Sequence, residues 1–228
     1  MNQKISKRLE TVASFVPQGA RLVDVGSDHA YLPLFLVEKT VISYAIAGEV
    51  VQGPYQSALQ HVRESGYANQ IEVRLANGLA AFDQADQMTT ITIAGMGGRL
   101  ITNILDAGKD KLEGIERLIL QPNNREDDVR EWLQAHDFRL VAETMVAENR
   151  KFYEILVAEP GEQSLTAMEK RFGPYLLQEV SPVFQQKWEC EADKLQHALA
   201  QIPTEHSEER ARIEEKIQQI KEVLHVSK

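Results

Sequence analysis

Five short segments of the chain hold residue types that can do chemistry, and each follows a run of apolar, β-prone residues. In Val23-Asp24-Val25-Gly26-Ser27-Asp28-His29-Ala30-Tyr31, an acidic residue stands two positions before a glycine. Such an acid suits a ligand with an amine or hydroxyls, and the glycine lets backbone approach that ligand closely. With one glycine the turn is not Gly-x-Gly-x-x-Gly, which weighs against a pyrophosphate cradle. Glu49 comes 25 residues after Asp24, near the spacing at which a carboxylate reaches a ribose hydroxyl pair. Asn77-Gly78 offers an amide that suits an adenine edge, though Asn-Gly is also an ordinary turn. Gly95-Met96-Gly97-Gly98 implies unusual dihedrals or close backbone approach, and in Gln121-Pro122-Asn123 the Asn123 amide can both donate and accept.

Other side chains near these segments are candidates with plain alternatives. His29 is a candidate general base, although a lone histidine is more often structural. Asp28 reads either as an acceptor-site carboxylate or as a helix cap. Tyr31 and Met96 can stack on a flat ring or simply pack in the core. Phosphate contacts would come from Lys4, Lys7, Arg8, Arg99, Arg125, Arg150 and Lys151, each of which alone reads as a solvated surface charge.

These segments need elements to position them. Strands are expected at Arg21–Val25, Tyr44–Ala47, Ile71–Leu75, Thr90–Ala94 and Leu118–Leu120, with helices at Leu32–Glu38, Pro54–Ser65, Arg99–Lys109 and Glu126–His136. Strand–helix alternation points to an α/β fold with a parallel sheet covered on both faces. In such a sheet, ligands bind at the carboxyl ends of the strands, where the polar residues above lie. Arg139–Ala147 and Phe152–Ala158 are separated by too few residues for a crossover helix, so they form a hairpin and the sheet ends with one antiparallel strand. Beyond Gly161 the pattern turns helical. Trp188, Ala192, Leu195, Leu199 and Ile202 form one apolar seam, and Ile213, Ile217, Ile220 and Leu224 a second, with Pro203 between them. The expected domains are therefore 1–160 and a coiled-coil-like helical appendage, 161–228.

Composition bounds the rest. The 228 residues are 43% hydrophobic and 26% charged, with a net charge of −9, which does not by itself suggest a nucleic-acid partner but can hide local basic clusters. No apolar run approaches a membrane span and the first residues hold no signal core, so a cytoplasmic protein is expected. The one cysteine, Cys190, excludes a disulfide or a cysteine-cluster metal site within this sequence.

Taken together, Ser6-Lys7-Arg8-Leu9, Gly26-Ser27-Asp28-His29-Ala30-Tyr31-Leu32-Pro33, Ala47-Gly48-Glu49-Val50, Ala94-Gly95-Met96-Gly97-Gly98 and Leu120-Gln121-Pro122-Asn123 resemble the bacterial TrmK family. The resemblance implies a class I, Rossmann-like methyltransferase domain that uses S-adenosylmethionine, without a metal, to methylate N1 of adenine at tRNA position 22. It implies that Asp24, Gly26, Glu49, Asn77, Gly78, Gly95 and Met96 line the cofactor site, with Glu49 on the ribose and Asn77 facing the adenine. In the family the Asn77 position is usually acidic; Asn keeps the acceptor oxygen but not the charge. Asp28, His29, Tyr31 and Asn123 would serve the acceptor base. Two other functions compete: an NAD-dependent oxidoreductase, and a non-catalytic RNA-binding protein with a vestigial pocket. A monomer is favoured, and tRNA is the expected partner.

Overall fold

Runs such as Leu22-Val23, Ile91, Ile93 and Leu118-Ile119-Leu120 are buried throughout, as central strands covered on both faces must be. In the computed structural model, which describes residues 5–225, they belong to the order α1 (Lys7–Ser14), β1 (Arg21–Val25), α2 (Tyr31–Glu38), β2 (Tyr44–Glu49), α3 (Gln52–Ser65), β3 (Ile71–Leu75), β4 (Thr90–Met96), α4 (Gly98–Ala107), β5 (Arg117–Pro122), α5 (Glu126–Ala135), β6 (Phe138–Glu148), β7 (Lys151–Pro160), α6 (Ala167–Phe172), α7 (Pro174–Glu179), α8 (Pro182–Gln201) and α9 (Ser207–His225). Lys4 lies outside the described residues.

The sheet order is β3-β2-β1-β4-β5-β7-β6. The first five of these strands are mutually parallel. The expected antiparallel strand is β7. It is last in sequence but lies inside the edge, antiparallel to both β5 and β6. Asn149 (φ 50°) and Arg150 (φ 62°) close its hairpin with β6, the two left-handed residues of a tight turn whose twist matches the strands. Because β6 runs parallel to β5, its end at Glu148 shares the rim on which β1, β2, β4 and β5 also end.

Alternate residues of each strand feed two cores. Leu22, Ala45 and Ala47 pack with Val12, Leu36 and Ala58 on one face. Val23, Val25, Ile91 and Ile93 pack with Ile101, Leu105, Val129 and Leu133 on the other. The sequence reading gave no element before Arg21, yet α1 is a capped helix: the Ser6 hydroxyl accepts the Leu9 N–H at 3.2 Å.

The chain divides into two compact units, one ending at Gly173 and one beginning at Pro174. The boundary expected at 160/161 falls inside the first of these, one short helix before its end. A buried ion cluster holds that helix. The fully buried Arg130 on α5 bonds Glu143 Oε1 (2.7 Å) and Glu154 Oε2 (2.5 Å), and donates to the Lys170 carbonyl (3.1 Å), which fastens α6 to the sheet unit. Gly173 follows at φ +86°, where a Cβ would stand 2.7 Å from both Arg130 Nη2 and Glu143 Oε2. In the second unit α8 packs on α9, and the apolar seams contribute buried Trp188, Ala192, Ile217 and Ile220. Arg210 on α9 donates to the Leu199 and Ile202 carbonyls (3.0 and 2.8 Å), satisfying the end of α8 where Pro203 stops it.

Candidate active site

The turn after β1 is strained. Gly26 (φ 68°) is followed by Asp28, His29 and Ala30 at φ 43°, 65° and 59°. Left-handed backbone costs a residue with a side chain about 1 kcal/mol or more, so the surroundings must enforce it. The end of the neighbouring strand β2 holds it. The Glu49 carboxylate there faces the backbone N–H groups of Asp28 and His29, which draw its pKa down. Gly26 and Ser27 donate to the Gly48 carbonyl at 2.9 and 3.2 Å. The residue is only 5% exposed, and Oε1 is buried without a protein partner. Burial pushes the Glu49 carboxyl above the usual carboxylate range, against the pull of the Asp28 N–H.

Asp24 is bonded within the protein. Both of its oxygens are taken up within the protein: Oδ1 by the Thr92 hydroxyl (2.6 Å) and Oδ2 by the Ser27 hydroxyl (2.5 Å). Thr92 is its register partner on β4. Asp24 therefore ties β1, β4 and the strained turn together from beneath, and burial raises its pKa against the two hydroxyls. Gly26 lies against Met96: a Cβ there would meet the Met96 methyl at 2.3 Å.

At the end of β3, the Ala76 N–H donates to the Glu49 carbonyl (2.7 Å), so Asn77 follows directly beside Glu49. Asn77 is exposed, and its amide has no protein partner among the described residues. Gly78 (φ 56°) packs on Ile104. Val50 and Val51, just after Glu49, are 63% and 57% exposed. Sequence reading passed over this pair, although two β-branched residues beyond a strand-end acid were there to be seen.

The β4 and β5 ends form one laced unit. Gly95 bulges from β4 at φ 81°. Its N–H donates to Gln121 Oε1 (3.0 Å), and its carbonyl accepts from Asn123 Nδ2 (2.7 Å). Gln121 Nε2 donates to Asn123 Oδ1 (3.1 Å) and the Pro122 carbonyl (2.8 Å). Arg8 Nη1 reaches the same Gln121 Oε1 at 2.6 Å. The completely buried Gln121 is thus saturated, and its amide orientation is fixed by two donors on one side. Asn123, expected to face a base edge, has half of its amide occupied in this lacing and keeps one N–H and one lone pair. Gly98 lets α4 start against this loop, since a Cβ would stand 2.2 Å from the Arg125 carbonyl oxygen.

Asp28 does not cap α2. Ala30 holds that position without a side-chain bond, and the Asp28 side chain is 81% exposed. It stands 3.5 Å from His29 Nε2. The His29, Tyr31 and His61 rings form a triangle with centroids 5.4–5.7 Å apart, and His61 Nδ1 is 3.2 Å from the His29 carbonyl. His61, on α3, was missed because nothing in a helical pattern marks which turn faces a distant loop. No group of three potential metal-ligating side chains occurs among the described residues.

The profile of the family described as TrmK, tRNA (adenine(22)-N(1))-methyltransferase, matches residues 22–222. The chain belongs to the TrmK family. The curated tRNA (adenine(22)-N(1))-methyltransferase of Bacillus subtilis (strain 168) is 44% identical over 237 residues, covering 98% of this chain and 99% of its own. A Streptococcus pneumoniae crystal structure in complex with S-adenosyl-L-methionine is 63% identical with a TM-score of 0.93, covering 97% of this chain and 100% of that one. M. capricolum TrmK in complex with S-adenosyl-homocysteine is 27% identical with a TM-score of 0.88, covering 97% and 98%. Within this TrmK chain, the strand ends that carry Glu49, Asn77, Gly95 and Asn123 share one rim of the sheet.

Proposed function

We propose that the chain transfers the methyl group of S-adenosylmethionine to N1 of the adenine at position 22 of tRNA. The observation that carries this reading is Glu49: it is 5% exposed beside the β1 turn, and its buried Oε1 lacks a donor that a ribose hydroxyl would supply. The relatives from B. subtilis, S. pneumoniae and M. capricolum support the activity and the cofactor class.

The residues fit that cofactor. Glu49 would hold the ribose hydroxyls, the free Asn77 amide an adenine edge, and exposed Val50 and Val51 the ring faces. Gly26 and Gly95 keep side chains out of the space between the turns, with Met96 beside them. Asp24 supports this site from below. When bound, the cofactor supplies a methyl group on a positively charged sulfur. The adenine N1 lone pair forms the new N–C bond as the S–C bond breaks and sulfur keeps the electron pair. N1 is unprotonated near neutral pH, so alignment and desolvation carry most of the catalysis. The methylated ring is cationic. The solvent-facing Asp28 carboxylate beside His29 can orient the exocyclic amine and accept its proton, and Asn123 offers its remaining N–H to the base. Tyr31 and Met96 border the place where the base enters.

Glu49 also argues against the dinucleotide alternative. The N–H groups of Asp28 and His29, which would face a pyrophosphate, have the Glu49 carboxylate beside them, and its charge would repel one. No described helix is long and apolar enough to cross a membrane. A cytoplasmic monomer suits a site built from one chain's own strand ends. The test is mass spectrometry of tRNA after incubation with the protein and S-adenosylmethionine. An N1-methyladenine at position 22 is expected, and unmodified tRNA beside a folded, cofactor-binding protein would defeat the reading.

A further inference from the structure

The cations of this acidic chain are not equivalent on the site rim. Arg99 and Arg125 follow β4 and β5, but they face Asp127 and Asp128: Arg125 Nη2 bonds Asp128 Oδ1, Arg125 Nε lies 3.5 Å from Asp127, and Arg99 Nε lies 3.9 Å from Asp128. Two arginines against two aspartates leave little net field there. The β6–β7 hairpin tip is different. Arg150 and Lys151 are exposed, and neither has an ion-pair partner among the described residues. Glu148, the acid at the tip, accepts the backbone N–H groups of Lys7 (2.8 Å) and Arg8 (3.4 Å) and so anchors the start of α1. That contact sets the Lys7 backbone beside the tip, and its side chain is exposed, again with no ion-pair partner among the described residues. Arg8 continues the line inward, over the Tyr153 ring (5.5 Å) to Gln121 at the end of β5.

This line begins at the rim that carries Asn123 and ends at the sheet edge. From β1 to β6 there are four interstrand steps, roughly 19 Å at ~4.8 Å each. Adenine N1 lies on the pairing edge, so the target nucleotide must leave its stack, and the backbone flanking it needs holding while it does. Phosphate contacts give such hold and register without reading sequence.

We infer that Lys7, Arg150 and Lys151 form the surface that grips tRNA backbone phosphates beside the flipped adenine, with the arginines at 99 and 125 outside it. The inference rests on the tRNA methyltransferase reading. It assigns the hairpin tip, which is remote from the cofactor turn, to substrate affinity alone.

The test compares two charge-matched triple variants. One is K7Q/R150Q/K151Q. The other is K39Q/R63Q/K109Q, which removes three exposed cations beyond α2, in α3 and beyond α4, at the opposite end of the strands. For the rim triple, the KM for tRNA should rise roughly tenfold or more, with kcat within about twofold and S-adenosylmethionine affinity unchanged by calorimetry. The slope of log K for tRNA against log salt should become shallower by about 2, at roughly 0.7–0.9 per lost phosphate contact. K151E alone should move both quantities in the same direction. A rim triple with wild-type KM and salt slope, or an opposite-end triple with the same losses, would overturn the inference while methylation by the wild type stands. Wild-type protein that binds S-adenosylmethionine but never methylates tRNA would overturn the function itself.

Discussion

Glu49 sits at the end of β2, yet its carboxylate faces the backbone N–H of His29 in the turn after β1. One side chain thus both backs the strained turn and presents a buried oxygen to the site. Glu49→Ala should therefore cost affinity and stability together. S-adenosylmethionine binding should weaken by about 1–3 kcal/mol, because a buried hydroxyl pair loses its charged acceptor. The melting temperature should fall as well, since the Asp28 and His29 N–H groups lose the carboxylate they face. Titration calorimetry beside scanning calorimetry checks both, and unchanged affinity would take Glu49 out of the site.

The same burial sets a pH dependence. The Glu49 and Asp24 carboxyls both titrate above the usual carboxylate range, chiefly because they are buried. Ionising them costs more in the folded protein than in the unfolded chain. Their contribution to stability is therefore present at low pH and falls as pH rises from the ordinary range through the raised values. Cofactor affinity should run the other way, weakening on acidification at a higher pH than an exposed carboxylate would cause. Glu49→Gln should flatten that affinity profile, and a parallel profile in the variant would assign the titration to another group.

The sheet order around the site was legible because apolar runs, a single-glycine turn and a four-residue link leave few topologies open. The internal hydrogen bonds of Asp24 and Asn123 were not. Asp24 faces Thr92 only because β1 and β4, 68 residues apart at that point, pair in one particular register. Asn123 laces to Gly95 only because β4 bulges there. Arg8 was readable as a surface cation but not as a partner of Gln121, 113 residues away. Local sequence shows which groups stand at strand ends. It does not show which of them the protein itself will satisfy.

Arg130 is buried with Glu143 and Glu154, and no surface role is available to it. Arg130→Ala would leave two carboxylates buried side by side without their shared cation. A loss of about 3–5 kcal/mol is expected, since breaking a buried ion cluster leaves uncompensated charge. Denaturant titration measures it. A loss below 1 kcal/mol would mean that water or other groups satisfy the acids.

The position of the unit boundary predicts how truncations behave. A chain ending at Gly173 keeps the Lys170 carbonyl on Arg130, whereas one ending at Gly161 removes it. The longer truncation should melt at a higher temperature and bind S-adenosylmethionine like the full chain. It should methylate tRNA poorly if α8 and α9 form an RNA-contacting arm. Full methylation by a folded 1–173 protein would show the helical unit to be dispensable for the reaction.

The acceptor side can be separated from folding because the structure gives Asp28 and Asn123 different burdens. Asp28 is 81% exposed, caps no helix and bonds no backbone through its side chain among the described contacts. Asp28→Ala should therefore leave the melting temperature near wild type, as surface substitutions usually do within ~0.5 kcal/mol. If its carboxylate orients the adenine amine and takes its proton, kcat should fall by roughly 10²-fold, while S-adenosylmethionine affinity holds or rises slightly as a negative neighbour of Glu49 disappears. Asn123 carries structure as well, through its bonds to Gly95 and Gln121. Asn123→Ala should lower both turnover and stability, the latter by about 1 kcal/mol for the lost hydrogen bonds. Asn123→Asp sorts the two roles: it keeps an oxygen for Gln121 but puts an acceptor against the Gly95 carbonyl and removes the outward N–H. Single-turnover methylation beside melting curves distinguishes the cases. Wild-type turnover in a folded Asp28→Ala protein would remove the carboxylate from the reaction and leave alignment on the base ring as the main source of rate.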